Sequence, residues 1–214
     1  MRSAAGLVVI KVGGSLLDWP ELPGRLVAFL ARCRDEAPTE SARFLLVAGG
    51  GPAADLVRTL DRIHGLGDVR AHWLAVRAMD LCAEFLAALL PGASVVSRPE
   101  MLESIWNLGA VPVLAPSRFL EEIDACGPDR LPESWLVTSD SIAARIAVIL
   151  GGRRLILLKS KGLPPDADRE DAARLGLVDP MFPAVARELE LVELVCLRDD
   201  PPTRQLLSEP RQDP

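Results

Sequence analysis

The sequence predicts an α/β fold built on a mostly parallel sheet, and three observations carry that prediction. Apolar runs of strand length recur along the chain, glycines follow the first two of them, and apolar residues at helical spacing come next. The runs at 7–10, 44–48 and 155–158 are nearly continuous rather than alternating, as strands buried on both faces of a parallel sheet require. The 214 residues and 49% hydrophobic content suffice for one sizeable domain, expected over residues 1–198. Residues 199–214 read as a proline-rich tail that frays.

The first strand comprises Leu7, Val8, Val9, Ile10 and Val12, carries Lys11 as its one charge, and opens into Gly13, Gly14 and Ser15. Glycines there are expected to turn with positive φ and offer unhindered N–H groups to an anion such as phosphate, and Ser15 to cap the next helix. The same stretch also fits a plain strand–turn junction whose lysine reaches solvent. Composition adds a second hint: of 24 Lys plus Arg only Lys11, Lys159 and Lys161 are lysines, leaving 21 arginines, and all three lysines end apolar strands. A lysine where arginine is the habit suits a compact point charge touching a phosphate.

Asp18-Trp19-Pro20-Glu21 reads as a helix start leading into Leu22, Leu26, Phe29 and Leu30, and Pro38-Thr39-Glu40-Ser41 breaks that helix. The strand at 44–48 feeds Gly49-Gly50-Gly51-Pro52, echoing the first junction. Two such junctions belong at the carboxyl edge of one parallel sheet, where open α/β folds bind ligands.

A long helix is expected over 69–90, with Leu74, Ala78, Leu81, Cys82, Phe85, Leu86 and Leu89 as one stripe and Ala75, Met79 and Ala83 as a second. Two apolar sides suit a dimer contact. His72 near its start reads either as a buried core imidazole or as part of a substrate pocket. Strands follow at 94–97 and 111–115, the latter an edge or strand start because of Pro112, with a helix at 100–107 between them. Residues 121–133 form a polar loop that could cover the site. Thr138-Ser139-Asp140-Ser141 caps an alanine-rich helix, with Asp140 in its first turn placed to hold lysine ammonium groups. The strand at 154–158 ends in Lys159-Ser160-Lys161-Gly162 and a polar loop at 164–171, and the last strand is expected at 191–197.

Net charge of −6 and a pI near 5.1 argue against a nucleic-acid or anionic-membrane surface, so any phosphate site must be local. Cys33, Cys82, Cys126 and Cys196 are widely spaced, and with only His64 and His72 as imidazoles neither a metal centre nor a disulfide framework is indicated. No apolar run approaches the ~18 residues of a membrane span, and a soluble, cytoplasmic protein is expected. No G-x-x-x-x-G-K-[ST] P-loop occurs.

Taken together, Lys11-x-Gly13-Gly14-Ser15, Gly49-Gly50-Gly51-Pro52, Thr138-Ser139-Asp140 and the strand before Lys159-Ser160-Lys161-Gly162 resemble the amino acid kinase superfamily in order and spacing. The resemblance implies a three-layer αβα sandwich with a central, mostly parallel sheet, and transfer of the ATP γ-phosphoryl group to a carboxylate or phosphate. It makes Lys11 the lysine on the transferring group, with Asp140, Lys159 and Lys161 as further catalytic residues. Gly13, Gly14, Ser15, Thr138, Ser139, Lys159, Lys161 and Gly162 join Lys11 in binding nucleotide; Gly49, Gly50, Gly51, Pro52 and His72 would bind the acceptor. Magnesium would be carried by the nucleotide phosphates.

The chain departs from the family where an acidic T-D-x-D-G segment is common: here both acids are lysines, Lys159 and Lys161. Ala71-His72-Trp73-Leu74-Ala75 before Met79-Asp80 resembles a small branch beside one-carbon-cofactor pathways, which implies an aminomethylfuran phosphate as acceptor. The expectation is therefore a small-molecule kinase with a small anionic substrate, neither nucleic acid nor membrane as partner, and a homodimer or higher homo-oligomer. The alternative is a catalytically silent fold of the same kind that binds an anionic ligand or a partner protein.

Overall fold

The computed structural model describes residues 6–36 and 42–209. Seven strands form one sheet: β1 (Leu7–Val12), β2 (Arg43–Ala48), β3 (Ala93–Val96), β4 (Val111–Leu114), β5 (Arg154–Lys159), β6 (Leu191–Cys196) and β7 (Thr203–Leu206). Their spatial order is β3-β4-β2-β1-β5-β6-β7, parallel throughout except for β7, which runs antiparallel to β6. β1 lies at the centre, paired to β2 and β5, and every one of its residues is buried.

Side-chain alternation divides the strands between two cores, one on each face of the sheet. Val8, Ile10 and Val12 of β1 pack with Leu22, Leu26 and Phe29 of α1 (Leu22–Asp35). Leu7 and Val9 face the other core, shared with Phe119 of α5 (Pro116–Glu122), Ile142 and Ile146 of α6 (Ser139–Ile149), Ala172 of α7 (Arg169–Arg174) and Phe182 of α8 (Phe182–Val185). These are the layers of the αβα sandwich. α2 (Gly51–His64) and α3 (Asp68–Leu89) pack on each other, and α4 (Leu102–Asn107) follows β3.

Several expectations are corrected. α1 begins at Leu22 rather than at the Pro20 turn, with Pro23 in its first turn; the expected break at 38–41 lies outside the described residues. On α3 the first expected stripe splits: Leu74, Leu81 and Phe85 are exposed, whereas Ala78, Cys82 and Leu86 are buried together with Ala71, Val76, Met79 and Ala83. Small residues let the helix approach the sheet closely. β4 is an interior strand, so of the two readings of Pro112 the edge is overturned and the strand start holds. Val111 N donates to Gly92 O on the β3 side, so by alternation Pro112 turns its missing N–H toward β2, whose pairing starts only at Val113.

The polar loop expected at 164–171 is shorter, because Asp168 and Asp171 form a capping box that starts α7 at Arg169. Of the expected fraying tail at 199–214, residues 203–207 are ordered instead: Thr203–Leu206 is β7 and Leu207 is buried behind it, while 210–214 lie outside the described residues. Buried Arg169 secures that end, donating to the carbonyls of Leu207 (3.1 Å), Ala186 (2.7 Å) and Leu189 (3.0 Å).

Candidate active site

Lys11 and Lys159 end adjacent parallel strands and share the face occupied by Leu7, Val9, Leu155 and Leu157, because all six positions are odd-numbered in paired strands. That face is covered by α6, whose first turn carries Asp140. The Asp140 carboxylate is reached by Lys11 Nζ at 2.9 Å, and Lys159 Nζ donates to both its oxygens at 2.8 Å. Lys11 and Asp140 are almost fully buried.

Burial raises the Asp140 carboxyl, but the two ammonium groups outweigh it and hold the group below its ordinary value. Burial pulls Lys159 down to about 8, against the attraction of Asp140 and helped by the charge of Lys11. One carboxylate between two ammonium groups leaves a local excess of one positive charge at the carboxyl edge of the sheet. Lys161, expected in the same cluster, lies exposed and pairs with no carboxylate among the described residues.

The two glycine loops meet back to back beside this cluster. A Cβ on Gly14 would lie 2.5 Å from the Gly51 nitrogen, and one on Gly49 would lie 2.7 Å from the Gly14 nitrogen. Close backbone approach, not positive φ, explains Gly14; of the expected site glycines only Gly51 has positive φ, at 48°. Nor does Ser15 cap a helix. Gly14–Leu16 forms a single 3₁₀ turn, and the Ser15 hydroxyl pairs with that of Ser160 at 2.9 Å, linking the first glycine loop to the loop after β5. Gly162 follows in that loop, exposed.

A cavity of ≈ 320 Å³ opens from the glycine loops between α2, α3 and the segment before α6. Gly14, Ser15, Gly50, Gly51, Pro52, His72, Thr138 and Ser139 line it, which brings most of the expected acceptor and nucleotide residues together; Gly49 lies just behind, against Gly14. His72 is buried, its Nδ1–H donating to Ser134 O at 3.3 Å, and burial lowers its pKa, so the ring is neutral near pH 7. Thr138 stands at the N-cap of α6 without capping it; its hydroxyl and N–H, with those of Ser141, go to Asp179.

Sequence reasoning missed the far wall of this cavity. Arg58 of α2 pairs with Asp55 at 2.9 Å and lies over the Trp135 ring at 4.9 Å, while Trp135 Nε1 donates to Asp61 Oδ2 at 2.8 Å. Asp55 and Arg58 sit one turn beyond Gly49-Gly50-Gly51-Pro52, and that position was the signal available. The loop expected at 121–133 to cover the site is anchored by buried Asp124, which accepts from Arg145 Nε at 2.7 Å and Leu131 N at 2.9 Å. Its extension to Trp135 and Val137 reaches the cavity.

A parallel-centred αβα sandwich with a lysine–aspartate–lysine cluster beside paired glycine loops is the arrangement this chain presents. The chain belongs to the amino acid kinase family, whose model matches residues 6–175. Among curated relatives, [5-(aminomethyl)furan-3-yl]methyl phosphate kinase of Methanocaldococcus jannaschii is 26% identical over 155 residues, 70% of this chain and 63% of that protein. Uridylate kinase of Hyperthermus butylicus is 39% identical over 104 residues, 48% of this chain and 43% of that protein. The matched regions thus span less than two thirds of either relative.

Solved structures share the fold. The uridylate kinase of Archaeoglobus fulgidus aligns with a TM-score of 0.57 at 17% identity, covering 87% of this chain and 89% of that one. The UMP kinase of Bacillus anthracis aligns with a TM-score of 0.59 at 14% identity, covering 95% and 99%.

Proposed function

We propose that the protein is an ATP-dependent small-molecule kinase transferring the γ-phosphoryl group to an anionic acceptor, a phosphate monoester or a carboxylate. The observation that carries this is the buried Lys11–Asp140–Lys159 cluster beside two glycine loops packed backbone to backbone. Transfer needs an acceptor oxygen to form a bond to γ-phosphorus as the bond to the β,γ-bridging oxygen breaks and ADP departs. Positioning and charge stabilisation supply most of the rate in such reactions.

Lys11 and Lys159 stabilise the negative charge on the transferring group, and Asp140 keeps the two ammonium groups aimed. The glycine-loop N–H groups bind phosphate oxygens where a side chain would block approach. The lysine excess and the tight backbone fit the triphosphate, and magnesium would arrive on it, shielding the β- and γ-oxygens. Among the described residues no group of three or more His, Cys, Asp or Glu could hold a metal ion by itself.

Within this class, the relative from Methanocaldococcus jannaschii and the segment from Ala71 to Ala75 favour an aminomethylfuran phosphate in one-carbon-cofactor biosynthesis as acceptor. The neutral His72 and the Arg58–Asp55 pair give the cavity both donors and acceptors for such a molecule. The exposed apolar strip of Leu56, Leu60 and Ile63 on α2 with Leu74, Leu81 and Phe85 on α3 supports a homodimer through a second copy of this chain. Four free cysteines fit a reducing, cytoplasmic compartment, and among the described residues no helix is long and apolar enough to cross a membrane.

The test is melting temperature with and without Mg-ATP, in wild type and Lys11→Met, followed by ADP release with [5-(aminomethyl)furan-3-yl]methyl phosphate or UMP. A ligand that binds only the folded state raises the midpoint. A shift present in wild type and lost in Lys11→Met, with turnover on one acceptor, supports the kinase. A shift unchanged by the mutation, or no turnover on any phosphate or carboxylate, returns the chain to a silent ligand-binding fold.

A further inference from the structure

We propose that Asp179 is a positioning residue for phosphoryl transfer: it grips the first turn of α6 from outside the helix and thereby fixes Asp140 between the two lysines. Its Oδ2 accepts from Thr138 N at 3.0 Å, Thr138 Oγ1 at 2.9 Å and Ser141 N at 3.0 Å, and its Oδ1 accepts from the Ser141 hydroxyl. Thr138 and Ser141 bracket Asp140, so the same carboxylate pins the backbone on both sides of the residue that holds the lysines.

The apolar packing of the helix does not run through Asp179. Ile142, Ala143, Ala144, Ile146 and Ala147 bury its body between the sheet and α8, and Thr138 could have capped it through its own hydroxyl. Instead Thr138 makes no cap of its own, and a carboxylate from 38 to 41 residues away does the work. That carboxylate is almost completely buried and sits close enough to Asp140 to feel its charge, a costly arrangement. What it adds over a local cap is a fixed distance between the first turn of α6 and the segment entering α8. Arg145 and Asp124 pin the same helix further along, at 2.7 Å. A first turn held this way cannot slide, and a misplacement of about 1 Å at a reacting centre can cost ~100-fold in rate.

The chain's three lysines make the test direct, because selectively labelled lysine gives only three side-chain signals to follow by NMR. In the full-length protein the Lys159 signal is expected to titrate near its lowered value of about 8. Asp179→Ala should loosen Asp140, deprive Lys159 of its partner and move that titration down by about half a unit or more. Asp179→Asn should leave it in place, because an amide oxygen can accept the two N–H groups and its NH₂ can donate to Ser141. In the kinetic arm, which rests on the proposed activity, Asp179→Ala should lower kcat about 10- to 100-fold with KM for Mg-ATP within about threefold. Asp179→Asn should restore kcat.

A folded Asp179→Ala protein with wild-type lysine titration and kcat overturns the proposal and leaves Asp179 a structural cap. Where Asp179→Ala does not fold, Asp179→Glu and Ser141→Ala carry the same comparison, and wild-type behaviour in both overturns it equally. Failure of the kinase reading shows itself separately, as absent turnover while the lysine titration still responds to Asp179.

Discussion

Asp140 is the residue whose loss should be felt most. It is the one carboxylate set between two buried ammonium groups, so Asp140→Asn should abolish transfer and also destabilise the fold by about 3 kcal/mol or more, read as a lowered urea midpoint. Lys159 sets a pH dependence. Its ammonium is held down to about 8, so the free enzyme should lose affinity for Mg-ATP, and kcat/KM for ATP should fall, as pH rises through that value. Lys159→Arg should remove this alkaline limb. The stability sign is opposite: between about 8 and the ordinary lysine value of 10.5 the unfolded chain holds a proton the folded one lacks, so this group makes the fold more stable as pH rises there. Lys11, Lys159 and Asp140 could be picked out in the sequence as strand-end lysines and a first-turn acid, and the structure brings those three side chains together while leaving Lys161 outside. Asp179 and Trp135 were not: their partners lie tens of residues away, and no local pattern encodes such distances.

The glycine loops show what local sequence does and does not specify. Their position after β1 and β2 follows from the apolar runs, yet the reason for Gly14 lies in the other loop. Gly14→Ala should therefore force the loops apart and abolish the Mg-ATP thermal shift, although the φ at that position would tolerate alanine. α3 teaches a similar lesson about apolar pattern. Both of its stripes are hydrophobic, and side-chain size misleads, because the interior took Ala71, Ala78 and Ala83 beside Met79 and Leu86 and left Leu81 and Phe85 outside. Leu81→Glu should consequently cost little in thermal stability while shifting the protein to a monomer in sedimentation, if the α2–α3 face joins two copies.

Beyond single helices, the first six strands and the mostly parallel sheet were readable from the apolar runs, whereas the strand order and the last strand were not. Thr203-Arg204-Gln205-Leu206 has no apolar run to announce it, being an antiparallel edge strand with one side in solvent. Its attachment depends on Arg169, whose guanidinium serves three carbonyl oxygens at once. Arg169→Ala should cost on the order of 3 kcal/mol by orphaning those acceptors, and ending the chain at Asp199 should lower the melting temperature as well. Sparing use of lysine has a chemical consequence for the molecule. With Lys11 and Lys159 held against Asp140, an amine-selective acylating reagent meets a single fully exposed side-chain target on the described surface, Lys161, two residues past Lys159. Covalent tagging of lysine, which on most proteins decorates the whole exterior, would here deliver one label to the rim of the Lys11–Asp140–Lys159 corner. The rate of that acylation would report who occupies the corner.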